Sequence, residues 1–270
     1  MNPNKELWEK GDFTQIAATM RRSGEALVDR IGVQPTDHVL DLGCGDGTTA
    51  VPAARRAADV LGVDIATNLV KAGNARAAEE GLSNLVFEEG DACDLSHLDD
   101  DHFDLVITIF GAMFAPRPFD VAKEVVRVTR PGGRIVMGNW IPGDPTLVAQ
   151  ILKTASAYAP PPPDGFISPM LWGVDEQVVE RFTAAGVSKD AITLERDTFV
   201  FEQDAPPSAF LDRFREYYGP TMNAYAAAES QGRGEELHTE LTALFEAQNT
   251  SGSPDATRIP ATFLRVTATV

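Results

Sequence analysis

The chain is short of cysteine, histidine and positive charge. Only Cys44 and Cys93 occur in 270 residues, and no C-x-x-C spacing is present. That excludes a disulfide framework and points away from a zinc site, so we expect no metal and a reduced, cytoplasmic setting. Lysine and arginine number 23 against 40 acidic residues, a formal net charge of −17. Such a surface repels phosphate backbones and anionic membranes, which argues against nucleic acid or lipid headgroups as partners. No apolar run reaches the length of a membrane span. The opening residues Met1 to Trp8 lack the basic-then-apolar pattern of a secretory leader. No internal repeat is evident.

Hydrophobic residues make up 43% of the chain, ample for a large core. Apolar residues at helical spacing, from Leu7 and Trp8 through Phe13, Ile16 and Met20 to Leu27, Val28 and Ile31, predict helices over 5–32, punctuated by Gly11 and Gly32. Predicted strands at 39–42, 60–63, 85–88, 103–109 and 134–140 then alternate with predicted helices at 48–58, 68–80 and 121–129. That alternation implies an α/β fold with a mostly parallel sheet and helices on both faces.

Beyond Trp140 the pattern changes. A helix is expected over 147–158, followed by the run Pro160 to Pro163. Four prolines favour a stiff extended segment, either a spacer or one wall of a substrate entrance. A helix at 175–186, a strand at 192–201, at least two helices within 208–249 and a closing strand at 261–270 complete the chain. Phe210, Phe214 and Tyr218 form an i, i+4 aromatic stripe, and Leu237, Leu241, Leu244 and Phe245 a second apolar face. The expected organisation is an N-terminal helical lid (1–34) and a core (35–270) carrying cap insertions at about 141–174 and 205–257.

The most telling stretch is Val39-Leu-Asp-Leu-Gly-Cys-Gly-Asp-Gly-Thr-Thr49. It reads as a buried strand entering a glycine-rich turn and then a helix. Alternating glycines allow a sharp bend and the close approach of a ligand, and the helix N-terminus offers unpaired N–H groups. Asp41, Asp64 and Asp91 top three successive strands, where ligands of doubly wound sheets bind. Asp64 follows Gly45 by about 20 residues, the interval at which an acidic residue can hold ribose hydroxyls.

This order of parts resembles the class I S-adenosylmethionine-dependent methyltransferases. The matching pieces are Val39–Thr48, Val60–Ile65, Phe87–Asp94, Phe103–Phe114 and Arg127–Trp140. The resemblance implies a Rossmann-like doubly wound sheet of seven strands, the last antiparallel, with helical cap insertions. It implies S-adenosyl-L-methionine as cofactor, leaving as S-adenosyl-L-homocysteine. Gly43, Cys44 and Gly45 should face its methionine end and Asp41 its ammonium. Asp64 should hold the ribose, Ile65 and Ala92 should border the adenine, and Asp91 should accept from the adenine amino group. Phe110 and Gly111 should lie near the sulfonium. The loop Phe110-Gly-Ala-Met-Phe114 is similar to that of quinone-ring methyltransferases, although the insertions and the tetraproline run are not part of that minimal enzyme.

A small apolar or aromatic acceptor is expected, walled by Trp8, Phe13, Met113, Phe114, Trp140, Tyr158, Trp172 and Tyr217. Candidates for a general base are Glu216, Tyr217 and Tyr218; the four histidines are placed poorly for that role. Whether O, N, C or S is attacked stays open, as does monomer against homodimer. Two other readings compete. A binding-only sensor or partner subunit would share the cofactor residues. A nicotinamide-dependent oxidoreductase would want G-x-G-x-x-G or G-x-G-x-x-A, whereas Thr48 stands at the last position.

Overall fold

The computed structural model describes residues 4–162 and 164–270. Residues 1–3 of the expected lid and Pro163 of the tetraproline run lie outside them. Seven strands, β1 (His38–Leu42), β2 (Asp59–Asp64), β3 (Leu85–Glu89), β4 (Phe103–Ile109), β5 (Thr129–Trp140), β6 (Ile192–Gln203) and β7 (Thr257–Thr269), form one sheet in the order β3-β2-β1-β4-β5-β7-β6. Neighbouring pairs from β3 through β5 are parallel. β7 runs antiparallel to both β5 and β6. This is the expected Rossmann-like architecture. Its central strands are largely apolar because both faces are covered: Val39, Leu40, Leu105, Val106, Ile107 and Ile135 are fully buried.

The connections decide where a ligand can sit. α4 (Ala50–Ala54) and α5 (Thr67–Glu79) carry the chain from β1 toward the β3 edge, while α6 (Pro118–Val128) carries it from β4 to β5. Right-handed crossovers toward opposite edges put helices on opposite faces and leave a crevice where the direction reverses, between the carboxyl ends of β1 and β4. Local chemistry sets the helix ends. Gly81, at φ 67°, lies just past α5, and Pro118 occupies the first turn of α6, where its missing N–H costs nothing. The helix expected over 48–58 is shorter, because residues 45–49 stay in the turn that Gly47 makes at φ 89° with its N–H on the Cys44 carbonyl.

Further helices surround the sheet. α1 (Lys5–Glu9), α2 (Thr14–Ala17) and α3 (Arg21–Ile31) come first. Gly24 lets α3 cross the glycine loop closely, since a Cβ there would fall 2.5 Å from the Thr48 carbonyl oxygen. α7 (Leu147–Ser156) follows β5, and α8 (Asp175–Ala184) precedes β6. The 208–249 region holds three helices, α9 (Pro207–Tyr217), α10 (Gly219–Ser230) and α11 (Gly234–Gln248). Phe210, Phe214 and Phe245 meet edge to face with centroids 5.1–5.5 Å apart, so the predicted aromatic stripe is the seam between α9 and α11. No helix among the described residues is long and apolar enough to cross a membrane.

Candidate functional site

A cavity of about 950 Å³, its open mouth included, lies over the crevice between β1 and β4. One part is built by the strand ends. Gly43 and Gly45 adopt φ 66° and 55°. A Cβ on Gly45 would meet nothing within 4 Å, because that Cα faces the open space. A Cβ on Gly43 would lie 2.6 Å from Gly111 Cα, so the glycine loop and the turn after β4 touch backbone to backbone. Only glycine at both positions permits that approach.

Asp64 is 7% exposed and sits at the tip of β2. Its Oδ2 accepts the Gly45 N–H at 2.8 Å and its Oδ1 the Ala66 N–H at 2.9 Å. One carboxylate therefore shapes the glycine loop and starts α5 while still facing the cavity. Burial raises its pKa, and the backbone N–H bonds oppose that rise. Asp41 is buried beneath the loop; burial pushes its carboxyl up to about 7, against the Thr49 hydroxyl donating to Oδ2 at 2.6 Å. Asp41 Oδ1 and Asp46 Oδ1 are buried acceptors without a partner among the described residues. Such atoms call for a donor, and at Asp46, which lines the cavity, a ligand ammonium would supply one. These features fit the amino-acid end of an adenosyl sulfonium.

Of the expected cofactor residues, Gly43, Cys44, Gly45, Asp64, Ile65, Ala92, Phe110 and Gly111 line the cavity. Asp41 and Asp91 do not. Asp41 lies behind Thr49, and Asp91 Oδ1 accepts the Cys93 N–H at 2.8 Å, closing a turn whose neighbours Gly90 and Ala92 reach the space instead.

The other part of the cavity is apolar. Trp8, Phe13 and Phe114 line it, as expected, together with Ala17, Met20, Ile109, Ala115 and Phe199. Trp8 packs edge-on to Phe13 at 5.8 Å and to Phe114 at 5.0 Å. Tyr218 stands behind Trp8 and Phe13, 6.1 Å from each, with burial holding its phenol well above the usual range. The N-terminal helices reach this place through named links. Asn4 donates to the Phe114 carbonyl, Lys5 pairs with Glu89, and Glu9 accepts the Thr67 N–H at 3.1 Å.

Five residues expected in the acceptor wall stand elsewhere. Met113 is buried in the core of the turn after β4. Trp140 lies behind Phe110, stacked at 3.7 Å. Tyr158 sits in the cap under Arg233. Trp172 packs against Phe182 and Arg181. Tyr217 is half-buried at the end of α9, its backbone against Gly11. All but Tyr217 are buried in the core. Of the base candidates, Glu216 is exposed and neither it, Tyr217 nor Tyr218 lines the cavity. Pro160–Pro162 are exposed and do not line it either.

Sequence reasoning missed Asp46 and Thr48, which line the cavity, and Arg21, which pairs with Asp46 and donates to the Thr48 hydroxyl at 2.5 Å. The Asp46-Gly-Thr48 run adjoining the glycines was the available signal. Nothing in the sequence marked Ala17, Met20 or Phe199.

A family model described as a methyltransferase domain matches residues 40–137, which span β1 through most of β5. An uncharacterised protein of Mycobacterium tuberculosis is 32% identical over 246 residues, 89% of this chain and 86% of its own length. Demethylmenaquinone methyltransferase of Renibacterium salmoninarum is 33% identical over 134 residues, 48% of this chain and 54% of its own. Among solved structures, a phosphoethanolamine N-methyltransferase of Haemonchus contortus in complex with S-adenosylhomocysteine superposes with a TM-score of 0.56 at 18% identity, covering 92% of this chain and 52% of that one.

Proposed function

We propose that this chain, which belongs to the class I S-adenosylmethionine-dependent methyltransferase family, transfers a methyl group to a small apolar or aromatic acceptor by in-line displacement. The observation that carries the reading is the two-part cavity: glycine loop, Asp64 and Ala92 at one side, and the continuous wall of Trp8, Phe13, Met20, Phe114 and Phe199 at the other. The polar and apolar parts lie side by side in one cavity, which places a small acceptor beside the cofactor's methyl end.

S-adenosylmethionine supplies a methyl group already activated by the sulfonium charge. The protein's part is alignment and exclusion of water. The Gly43–Gly45 backbone would face the methionine end, Asp64 would hold the ribose, and Ile65 and Ala92 would border the base. Orientation of this kind contributes about 7–11 kcal/mol to a two-reactant step. The N-terminal helices act as a lid, because α1 and α2 bring Trp8, Phe13 and Ala17 over the strand ends. The likeness to a demethylmenaquinone methyltransferase favours a quinol-like ring among acceptors of this shape.

Calorimetry with S-adenosylmethionine and S-adenosylhomocysteine, followed by an assay of homocysteine-cofactor release on a panel of quinols, phenols, amines and thiols, tests the reading. Binding of both compounds and turnover on an apolar member is expected. Tight binding with no turnover across the panel would make the chain a cofactor-binding sensor instead.

A further inference from the structure

We propose that Trp140 is a positioning residue for methyl transfer: stacked on Phe110, it holds the turn after β4 against the glycine loop. The inference rests on the reading above and extends it to a side chain that does not touch the cavity.

Phe110 has φ 60°, in the left-handed region. A bulky residue keeps that conformation only where its surroundings over-determine it. Here they do. The Phe110 N–H donates to the Gly138 carbonyl at 2.9 Å, carrying the β4–β5 ladder past the end of β4. Its ring lies on Trp140 with centroids 3.7 Å apart and planes 9° from parallel, while Phe199 and Phe263 each meet it edge-on at 5.2 Å. Gly138 and Trp140 are two apart on β5 and so share one face of the sheet.

The consequence appears one residue later. Gly111 is delivered against Gly43, where a Cβ would fall 2.4 Å from the Gly43 oxygen, and the Ala112 N–H closes the turn on Thr108 Oγ1 at 3.0 Å. Contact therefore runs from Trp140 through Phe110 and Gly111 to the glycine loop. The stack thus sets the spacing between the two backbone segments that flank the sulfonium position.

The test compares wild type with Trp140→Leu, Trp140→Phe and the control Trp172→Leu, measuring Tm and calorimetric affinity for S-adenosylmethionine. Trp172 is as buried as Trp140 but packs on Phe182 and Arg181. Trp140→Leu should weaken binding about tenfold, which is about 1.4 kcal/mol, and Trp140→Phe should restore it to within about twofold because its ring can still stack. Trp172→Leu should lower Tm without moving affinity. Trp140→Leu binding like wild type, or Trp172→Leu weakening binding equally, overturns the proposal while leaving the proposed function standing. A wild type that binds neither S-adenosylmethionine nor S-adenosylhomocysteine overturns both. Should Trp140→Leu fail to fold, the double variant Trp8→Phe, Trp172→Phe leaves Trp140 as sole indole. Its emission should change on saturation with S-adenosylhomocysteine, and a silent Trp140 counts against the stack.

Discussion

Replacing Asp64 with alanine interrogates the cofactor side of the cavity most directly. Each of its oxygens already accepts one backbone N–H, from Gly45 at 2.8 Å and from Ala66 at 2.9 Å. A carboxylate oxygen has two acceptor sites, so each retains one for a ribose hydroxyl. Alanine deletes both remaining acceptors and frees the Gly45 N–H as well. Hydrogen bonds to a charged group contribute about 1.5–3 kcal/mol each. Two of them give at least about 3 kcal/mol, or a rise in Kd of about 100-fold. Asp64→Asn should fall between, because its amide NH2 must face one of the two N–H donors. Calorimetry with S-adenosylhomocysteine reads the affinity, and circular dichroism confirms that the variant is folded. A folded Asp64→Ala protein that binds within about threefold of wild type would refute the assignment, since a loss that small is below one such hydrogen bond.

The remaining predictions concern the loop and the acid beneath it. Asp41 is protonated more readily folded than unfolded, its pKa lying at about 7 rather than 3.8 through burial. Folding therefore takes up a proton between those values, and wild-type stability should fall as pH rises across that window, by an amount on the order of a few kcal/mol, complete above about pH 7. Asp41→Asn, whose carbonyl can still accept from Thr49, should lack that fall; parallel Tm-against-pH curves for the two proteins would contradict this. Gly111→Ala places a Cβ 2.4 Å from the Gly43 oxygen, so it should force the two backbones apart and weaken S-adenosylhomocysteine binding by about tenfold or more. Unchanged calorimetric affinity would show that the close approach is dispensable.

Much of this was readable before any coordinates. The largely apolar stretches Val39–Leu42 and Phe103–Ile109, rich in β-branched residues and leucine, read as strands covered on both faces. Alternating glycines at 43, 45 and 47 required a tight turn, and all three adopt positive φ. The interval from Gly45 to Asp64 pointed to a ribose contact; the structure adds a hydrogen bond between the two residues that the spacing did not announce. These features are legible because they are local: period, backbone freedom and spacing are properties of a few consecutive residues.

The aromatic residues show where that reach ends. By pattern, Trp8, Phe114, Trp140 and Trp172 were equivalent, yet two line the cavity, one supports Phe110 from behind and one packs on Phe182. Likewise Phe199, on a strand far along the chain, reaches the site only because β6 follows β7 at the sheet's edge and folds back toward α3. Hydrophobicity states that a side chain leaves water. Which neighbours it then meets depends on strand order and on how the caps close, and those are settled by packing between segments more than a hundred residues apart.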